Sequence, residues 1–403
     1  MIRRTTQMAT VVLSNHKFPE DGQVTVPLPI PVEEYDHCME LLDVLGIGHA
    51  TQRDCKVDSI DSEYPALERL EGKMVNLDEL DYLFQRLDSF DDNEKAAFQC
   101  VVHDRDISDM TDLINLTFCC DMPIVITDFS KLNAIGRRQY LISQGGCAPV
   151  KEVEMQDGHV VMERLIHSGE GKVTPYGVLY ENDMELTPHY HQGGVFPKYR
   201  YRERVMEVEI SDCAEPEDTL AVSSLQLPMS RKQLEHIVER TGIQDAEDIR
   251  LWFVDSILPD EIEAALSFED ESLEELNKLC AVLAEMKDND FKKLTAVVEY
   301  TRPDSAFQLR QLSENLELFE FFPGIRTPEE YGKYMIRESG HYEYDENLDD
   351  YYDYAGYGEK RVEQETGEFN IFGYVSYHGT LSLDELMSED PAEAHEMEME
   401  GML

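Results

Sequence analysis

Alternating apolar and polar positions open the chain, and the same alternation returns some 200 residues later. Residues 9–15 (ATVVLSN) and 23–30 (QVTVPLPI) read as two strands of a half-buried hairpin or meander, and so do VMEVEIS at 205–211 and LAVSSLQLP at 220–228. A helix is predicted after each pair. Its apolar positions are Tyr35, Cys38, Met39, Leu42 and Leu45 in the first case and Leu234, Ile237 and Val238 in the second, with Gly46 and Gly242 as helix-ending glycines. A second helix is predicted from Asn76 and from Ser272, each followed three residues on by Glu79 or Glu275, the spacing of a capping box. Leu77, Leu80, Phe84 and Leu87, or Leu273, Leu276, Cys280 and Leu283, give that helix one buried stripe. A segment ending in paired valines, a mixed helical stretch to Gly136 or Gly332, and a last short strand (VTPYGVLY, EFNIFGYVSYHG) complete each unit.

These parallels extend to letters. Val57-Asp58-Ser59-Ile60 recurs as Val254-Asp255-Ser256-Ile257, 197 residues on. At 196 residues, Gly46-Ile47 matches Gly242-Ile243, the Leu77–Leu87 stripe matches Leu273–Leu283, Asp92-Asn93 matches Asp288-Asn289, Val101-Val102 matches Val297-Val298, and Gly136 matches Gly332. So many matches at one spacing predict two diverged copies of one unit. The expected fold class is α+β, an elongated array of small α/β subdomains in two tandem copies. The expected boundaries are 1–182 for a degenerate first copy, 183–204 for a linker containing Gly193-Gly194, 205–380 for the second copy, and 381–403 for an acidic, disordered tail.

Charge changes the picture most. Of 403 residues, 84 are acidic and 35 basic, a formal net charge of −49. Residues 1–200 hold 34 acids and 18 bases, and 201–403 hold 50 and 17, so the second half carries −33 of the total. Such a chain repels nucleic acid and anionic membrane and attracts a basic partner. Eight cysteines without a CxxC, no signal peptide and no apolar run near eighteen residues point to reduced thiols in the cytoplasm.

The acids concentrate in HYEYDENLDDYYDYAGYG, His341 to Gly358, where Glu343, Asp345, Glu346, Asp349, Asp350 and Asp353 alternate with six tyrosines and no Lys or Arg intervenes. A calcium loop fits at Asp345, Asn347 and Asp349 but fails at Asp350, where the motif needs Gly, and at Gly356, where it needs a bidentate carboxylate. His189 and His191 lack a third metal ligand at motif spacing. No GxSxG, HExxH or glycine-rich phosphate loop is present, and paired carboxylates carry no information among 84 acids, so catalysis is not expected. Trp252 and Phe319, Phe321 and Phe322 read as core. If the segment is an α-helix, Asp345, Asp349 and Asp353 form a row at about 6 Å spacing, anchored by tyrosine rings at 351, 352, 354 and 357 with their hydroxyls in water. Such a row resembles the phosphates of a duplex. Further clusters are Asp255, Asp260, Glu261, Glu263, Glu269 and Asp270, and, in the first half, Asp104, Asp106 and Asp109.

The second copy resembles the ArdA family of antirestriction proteins. The resemblance lies in SLQLPMS, the helix closing at Gly242-Ile243, LEELNKLCAVLAEM, YGKYMIRESG, NLDDYYDYAGYG and GEFNIFGYVSYHG, and most specifically in Asn347-Leu348, Tyr351, Asp353-Tyr354 and Tyr357-Gly358. It covers about 205–380 and, through the repeat, extends more weakly over 10–182. The whole chain is similar to the long, two-copy members found on mobile elements of Gram-positive bacteria. The resemblance implies an acidic DNA mimic that occupies the DNA groove of type I restriction–modification enzymes and protects incoming conjugative DNA. It implies no cofactor, no catalysis, and either a homodimer or an internal pseudo-dimer. The partner-binding acids would be those named above in the second copy, with Tyr351, Tyr354 and Tyr357 as motif aromatics. Two other readings stay open: an acidic scaffold for another basic protein, such as a nucleoid protein or another defence nuclease, and a hydrolase.

Overall fold

A computed structural model describes residues 7–167, 169–182, 184–198, 204–212, 223–244, 248–268 and 271–388. The described residues form a mixture of α-helices and four small antiparallel sheets, divided into two compact units. The first unit takes in the described residues up to 198 together with 230–244, and the second takes in the rest.

The first unit begins with β1 (Ala9–Asn15), β2 (Gln23–Leu28), α1 (Val32–Val44), β3 (Cys55–Ser62) and β4 (Met74–Val75), in the sheet order β2-β1-β3-β4. The alternation read from the sequence holds: Val11, Leu13, Val26, Leu28 and Val57 are fully buried, and α1 covers them with Tyr35, Cys38, Met39 and Leu42. Gly46 follows the helix with a left-handed φ of 64°, a conformation that costs glycine nothing. Helices α2 (Leu77–Asp88), α3 (Asp92–Asp104) and α4 (Met110–Leu116) extend the same core. A second small sheet, β5-β7-β6, is made by β5 (Ile124–Ile126), β6 (Lys172–Thr174) and β7 (Gly177–Tyr180). Between β5 and β6 lie α5 (Leu132–Ser143), α6 (Val150–Met155) and α7 (Gly158–His167).

Beyond residue 204 the chain follows a similar order, although the first helix there packs in the first unit. β8 (Met206–Asp212) and β9 (Ser223–Leu227) precede α8 (Arg231–Thr241) and β10 (Ile249–Ser256), and the sheet order is β10-β8-β9. The X-Pro bonds closing the two hairpins, Leu28–Pro29 and Leu227–Pro228, are both cis. After α9 (Asp260–Glu263), helices α10 (Leu273–Ala284), α11 (Asp288–Thr301) and α12 (Ala306–Glu314) supply the helical core. β11 (Phe319–Pro323), α13 (Pro328–Arg337), α14 (Tyr354–Glu365), β12 (Glu368–Phe369), β13 (Gly373–Tyr377) and α15 (Leu383–Met387) close the unit, with the sheet order β11-β13-β12. The α13–α14 pair corresponds to α5–α7, and both are tied by glycines. A Cβ on Gly332 would lie 2.0 Å from the Tyr354 carbonyl oxygen and one on Gly358 1.8 Å from that of Pro328; in the first unit, Gly136 and Gly158 stand equally close to Gly158 O and Asn133 O.

Several expectations need correction. Asn76 and Ser272 do cap their helices, accepting from the backbone N–H of Glu79 and Glu275, but neither glutamate completes a capping box. Glu79 is taken by Arg53 at 2.9 Å, and Glu275 by Arg310 and Lys278, because an ion pair outcompetes a neutral backbone donor. The repeated tetrapeptide lies within the third strand of the first sheet and at the end of the third strand of its counterpart, in different environments: Val57 and Ile60 are buried, whereas Val254 is 37% and Ile257, just past the strand, 67% exposed. β3 is an inner strand, paired on both sides, whereas β10 is an edge. Trp252, expected in the core, is 50% exposed for the same reason. The stretch expected as a linker is packed where it is described: Tyr190 is fully buried, Phe196 stacks on Tyr82 and Tyr190, and Pro197 accepts a hydrogen bond from Tyr82. Of the expected tail, residues 383–387 form α15, with Leu386 buried behind a Ser382–Glu385 capping box; 389–403 lie outside the described residues.

Helix α8 departs furthest from its pattern. It belongs to the first unit, and what it buries is Gln233 and Arg240, leaving Leu234, Ile237 and Val238 half-buried. The cause is charge. Arg240 donates to Asn76 Oδ1 (2.6 Å), the Tyr190 hydroxyl (3.2 Å), Gly194 O (3.1 Å) and Asp78 Oδ2 (3.4 Å), and its guanidinium covers the Phe196 ring. His236 Nδ1 stands 3.0 Å from Asp78 Oδ2, and Tyr35 donates to the other oxygen of the same carboxylate. A buried acid such as Asp78 is tolerated only with such partners.

This packing sets the response to substitution and to pH. Gly→Ala within a helix ordinarily stabilises by about 0.4–1 kcal/mol, but Gly332→Ala and Gly358→Ala are expected to destabilise the second unit by about 1–3 kcal/mol in urea unfolding, because the added methyl must push α13 and α14 apart. Burial alone would lower the pKa of His236, but the Asp78 hydrogen bond and charge outweigh it and the value is raised. The charged imidazole therefore stabilises the docked α8 fully below its unfolded pKa of about 6.5, and that contribution is lost as pH rises through the higher folded value. Thermal unfolding followed from pH 6 to 9 is expected to show this loss, and His236→Gln to abolish it.

Candidate partner-binding surface

The acid-rich segment is the crossover between α13 and α14, and its shape is set from both ends. Thr327 caps α13, accepting from Glu330 N, and Pro328 fills the first helical position, where no N–H is needed. Arg337 stands in the last turn of that helix. Residues 346–351 form a 3₁₀ helix capped by Asp345, whose carboxylate accepts from Asn347 N at 2.9 Å. Asp353 then caps α14, accepting from Gly356 N at 2.9 Å. The expected α-helical row of Asp345, Asp349 and Asp353 is therefore not formed. Two of the three carboxylates are helix caps, and the chain between them is wound too tightly for an i, i+4 line.

Asp349 is the third, and it turns inward. It pairs with Arg337 at 3.0 Å and accepts from the Tyr344 hydroxyl at 2.6 Å and from that of Tyr354. Arg337 also donates to the Tyr344 oxygen at 3.1 Å and lies against the Tyr344 and Tyr354 rings. The hydrogen bonds from Tyr344 and Tyr354, with the Arg337 charge, hold the Asp349 carboxyl below the usual range. Burial and the Asp349 carboxylate raise the Tyr354 phenol, and burial together with a 2.9 Å bond to Tyr342 pushes Tyr357 up to about 12. Among the motif aromatics, Tyr354 is buried and Tyr357 half-buried, but Tyr351 is 85% exposed. The Tyr354 hydroxyl, expected in water, is committed to Asp349.

With Asp349 occupied, Glu343, Asp345, Glu346, Asp350 and Asp353 remain at the surface, beside the exposed Tyr342, Leu348 and Tyr351. The structure thus brings one set of the expected acids together on a single crossover. The others lie on different elements. Asp255, on β10, pairs with Arg204 at 2.8 Å; Asp260 and Glu261 begin α9; Glu263 accepts from Ser256 at 2.8 Å. Glu269 and Asp270 lie outside the described residues.

The first unit contrasts with this. Its acid cluster is neutralised internally, Asp104 by Lys172 (2.7 Å), Asp106 by Arg69 (3.0 Å) and Asp109 by Arg53 (2.6 Å). Its corresponding crossover carries α6 and is held by Arg137, which donates to the carbonyls of Glu154 and Gln156. Sequence reasoning missed Arg337 and Tyr344, the two side chains that organise the acidic crossover. The available signal was a lone arginine in the last turn of a helix directly before an acid–tyrosine run.

Asp349→Asn is expected to loosen the crossover, raising amide exchange across 341–353, whereas Asp350→Asn leaves it unchanged. In the parent chain the same loosening is expected as pH falls through the depressed Asp349 pKa, because the ionised carboxylate is the form that holds the segment.

Among the described residues, no helix is long and apolar enough to cross a membrane. No curated protein matches the chain. One family model does match, that described as Antirestriction protein (ArdA), over residues 220–376, a span containing α8, the α10–α12 helices and the whole acidic crossover. This stretch of the chain belongs to the ArdA antirestriction family.

Proposed function

We propose that the chain inhibits type I restriction–modification enzymes as a DNA mimic, with the acidic crossover of the second unit entering the basic groove that otherwise holds DNA. The observation that carries this reading is a crossover whose own arginine is spent on one inward carboxylate while five others face solvent, inside the segment that matches the family. The partner is the specificity and methyltransferase core, and the chain acts by occupancy with no cofactor. Glu343, Glu346 and Asp350 serve as phosphate stand-ins. Asp345 and Asp353 add charge while capping their helices, and Asp349 holds the geometry. The first unit, its clustered acids already paired, contributes a platform in place of a second mimic.

The test mixes type I enzyme, duplex DNA and this protein at low salt, reading both DNA binding and cleavage. Stoichiometric protein is expected to abolish both, and cleavage that persists at excess protein overturns the reading, even if another basic protein is bound. Glu343→Lys, Glu346→Lys and Asp350→Lys are each expected to weaken inhibition about two- to fivefold, in a graded, roughly additive way, as charges on an interface rim do. Raising salt from about 50 to 200 mM is expected to weaken it further, since the attraction between exposed charges is screened.

A further inference from the structure

The 3₁₀ helix at 346–351 presents more than charge. With three residues per turn, side chains three apart stand on one side, so the helix has three sides. Glu346 and Asp349 share the first, where Asp349 meets Arg337. Asn347 and Asp350 share the second, and Leu348 and Tyr351 share the third. The second and third sides lie at the surface: Asn347 and Asp350 are exposed, and Leu348 is 48% and Tyr351 85% exposed. Tyr342, 49% exposed, belongs to the same crossover, its hydroxyl bonded to that of Tyr357 at 2.9 Å. A row of carboxylates by itself needs no aromatic ring held in water, and exposed apolar groups rimmed by polar ones mark an interaction site.

The inner side of the crossover shows what an acid–tyrosine run can hold. Arg337 pairs with Asp349 at 3.0 Å while its guanidinium lies 5.4 Å from the Tyr344 ring centroid and 5.9 Å from that of Tyr354. Arg310 is held alike, paired with Glu275 and Glu314 and 5.3 Å from the Phe307 centroid. Lys333 comes within 5.9 Å of the Tyr354 ring, yet its hydrogen bond goes to Glu329. A planar guanidinium serves a carboxylate with its edge and a ring with its face, whereas a compact ammonium has no flat face to stack.

We propose that Tyr351, with Leu348 on the same side of the helix, is an arginine-selective contact. An arginine of the partner lays its guanidinium on the Tyr351 ring and pairs with Asp350, repeating on the outside what Arg337 does on the inside. The surrounding acids fix the sign of the occupant's charge and the exposed ring fixes its shape. For its partner the contact rests on the inhibitor reading, because a groove that holds DNA phosphates is basic. To that reading it adds a discrimination between arginine and lysine, which carboxylates alone do not provide.

Nona-arginine and nona-lysine peptides carry equal charge and separate the two contributions. Titrated into the full-length protein, nona-arginine is expected to bind more tightly and to slow amide exchange across 346–351. Y351A is expected to lower the arginine affinity about two- to fivefold and leave the lysine affinity unchanged, with exchange of the free protein across 341–353 at the parental rate. Y351F, which keeps the ring, is expected to keep the preference, and D350N to weaken both peptides. Against type I enzyme, Y351A is expected to weaken inhibition by a similar factor at low and high salt, since stacking is screened less than charge. A parent chain without arginine preference overturns the proposal, as does a preference that survives Y351A or one that Y351F loses as fully as Y351A. A parent that leaves cleavage untouched while its arginine preference depends on Tyr351 refutes the inhibitor reading and keeps the contact. A parent that inhibits, with Y351A equal to it on both peptides and enzyme, overturns the contact alone.

Discussion

The acidic crossover depends on how closely α13 and α14 approach. With hydrogen alone at Gly332 and Gly358, each backbone packs directly on a carbonyl of the other helix. That contact fixes the end of α13, with Arg337, against the start of α14, with Tyr354. Asp349 has a site only where those two residues converge, since it takes its ion pair from one helix and a hydroxyl from the other. Six carboxylates in eighteen residues repel one another, and a crossover of that composition left to itself expands. The helix crossing supplies the rigidity, and the single inward-facing acid converts it into a defined loop. The surface charge is thus a consequence of a steric relation that the two glycines make possible.

The same crossing in the first unit, built by Gly136 and Gly158, carries different freight. There the crossover holds α6, and the arginine that organises it, Arg137, binds backbone carbonyls. Net charge along the chain does not by itself distinguish the two situations. Asp104, Asp106 and Asp109 are as acidic a cluster in the sequence as many in the second unit, yet each meets a lysine or arginine from elsewhere in the fold. Unpaired negative potential, the quantity a basic groove senses, survives where the local bases are few or already engaged.

Periodicity carried much of the fold into view. The hairpin strands, the α1 stripe, the helix-ending Gly46 and Gly242, and the N-caps Asn76 and Ser272 are local features, determined within a few residues of themselves. Partners brought from afar were not legible. Glu79 sits at capping-box spacing but is drawn away by Arg53, 26 positions earlier, and buried Arg240 is held by Asp78, 162 positions before it. In the crossover the acids were plain in the sequence but their division of labour was not. Whether a carboxylate caps a helix, receives an arginine or faces water depends on the path of the chain, and a 3₁₀ turn replaced the α-helix on which the even row depended.

The two halves show which features of a repeat are held by backbone physics and which are free to drift. Both keep the hairpin–helix–strand order, the bulged pairing of first and third strands, and the glycine-tied helix pair, all of them backbone constraints. Side-chain environments do not follow. The tetrapeptide shared by β3 and β10 is core in one and surface in the other, because β4 and a 3₁₀ turn cover the first and an edge leaves the second open. An identical run of letters says little about what the strand meets. The helices after the hairpins make the same point from the opposite direction: α1 is held by an apolar stripe and α8 by a buried arginine and a half-buried histidine, so similar positions in the order are stabilised by different forces. A unit that preserves its backbone contacts can therefore exchange its surface wholesale, which is how one half can hold its charges in pairs and the other display them.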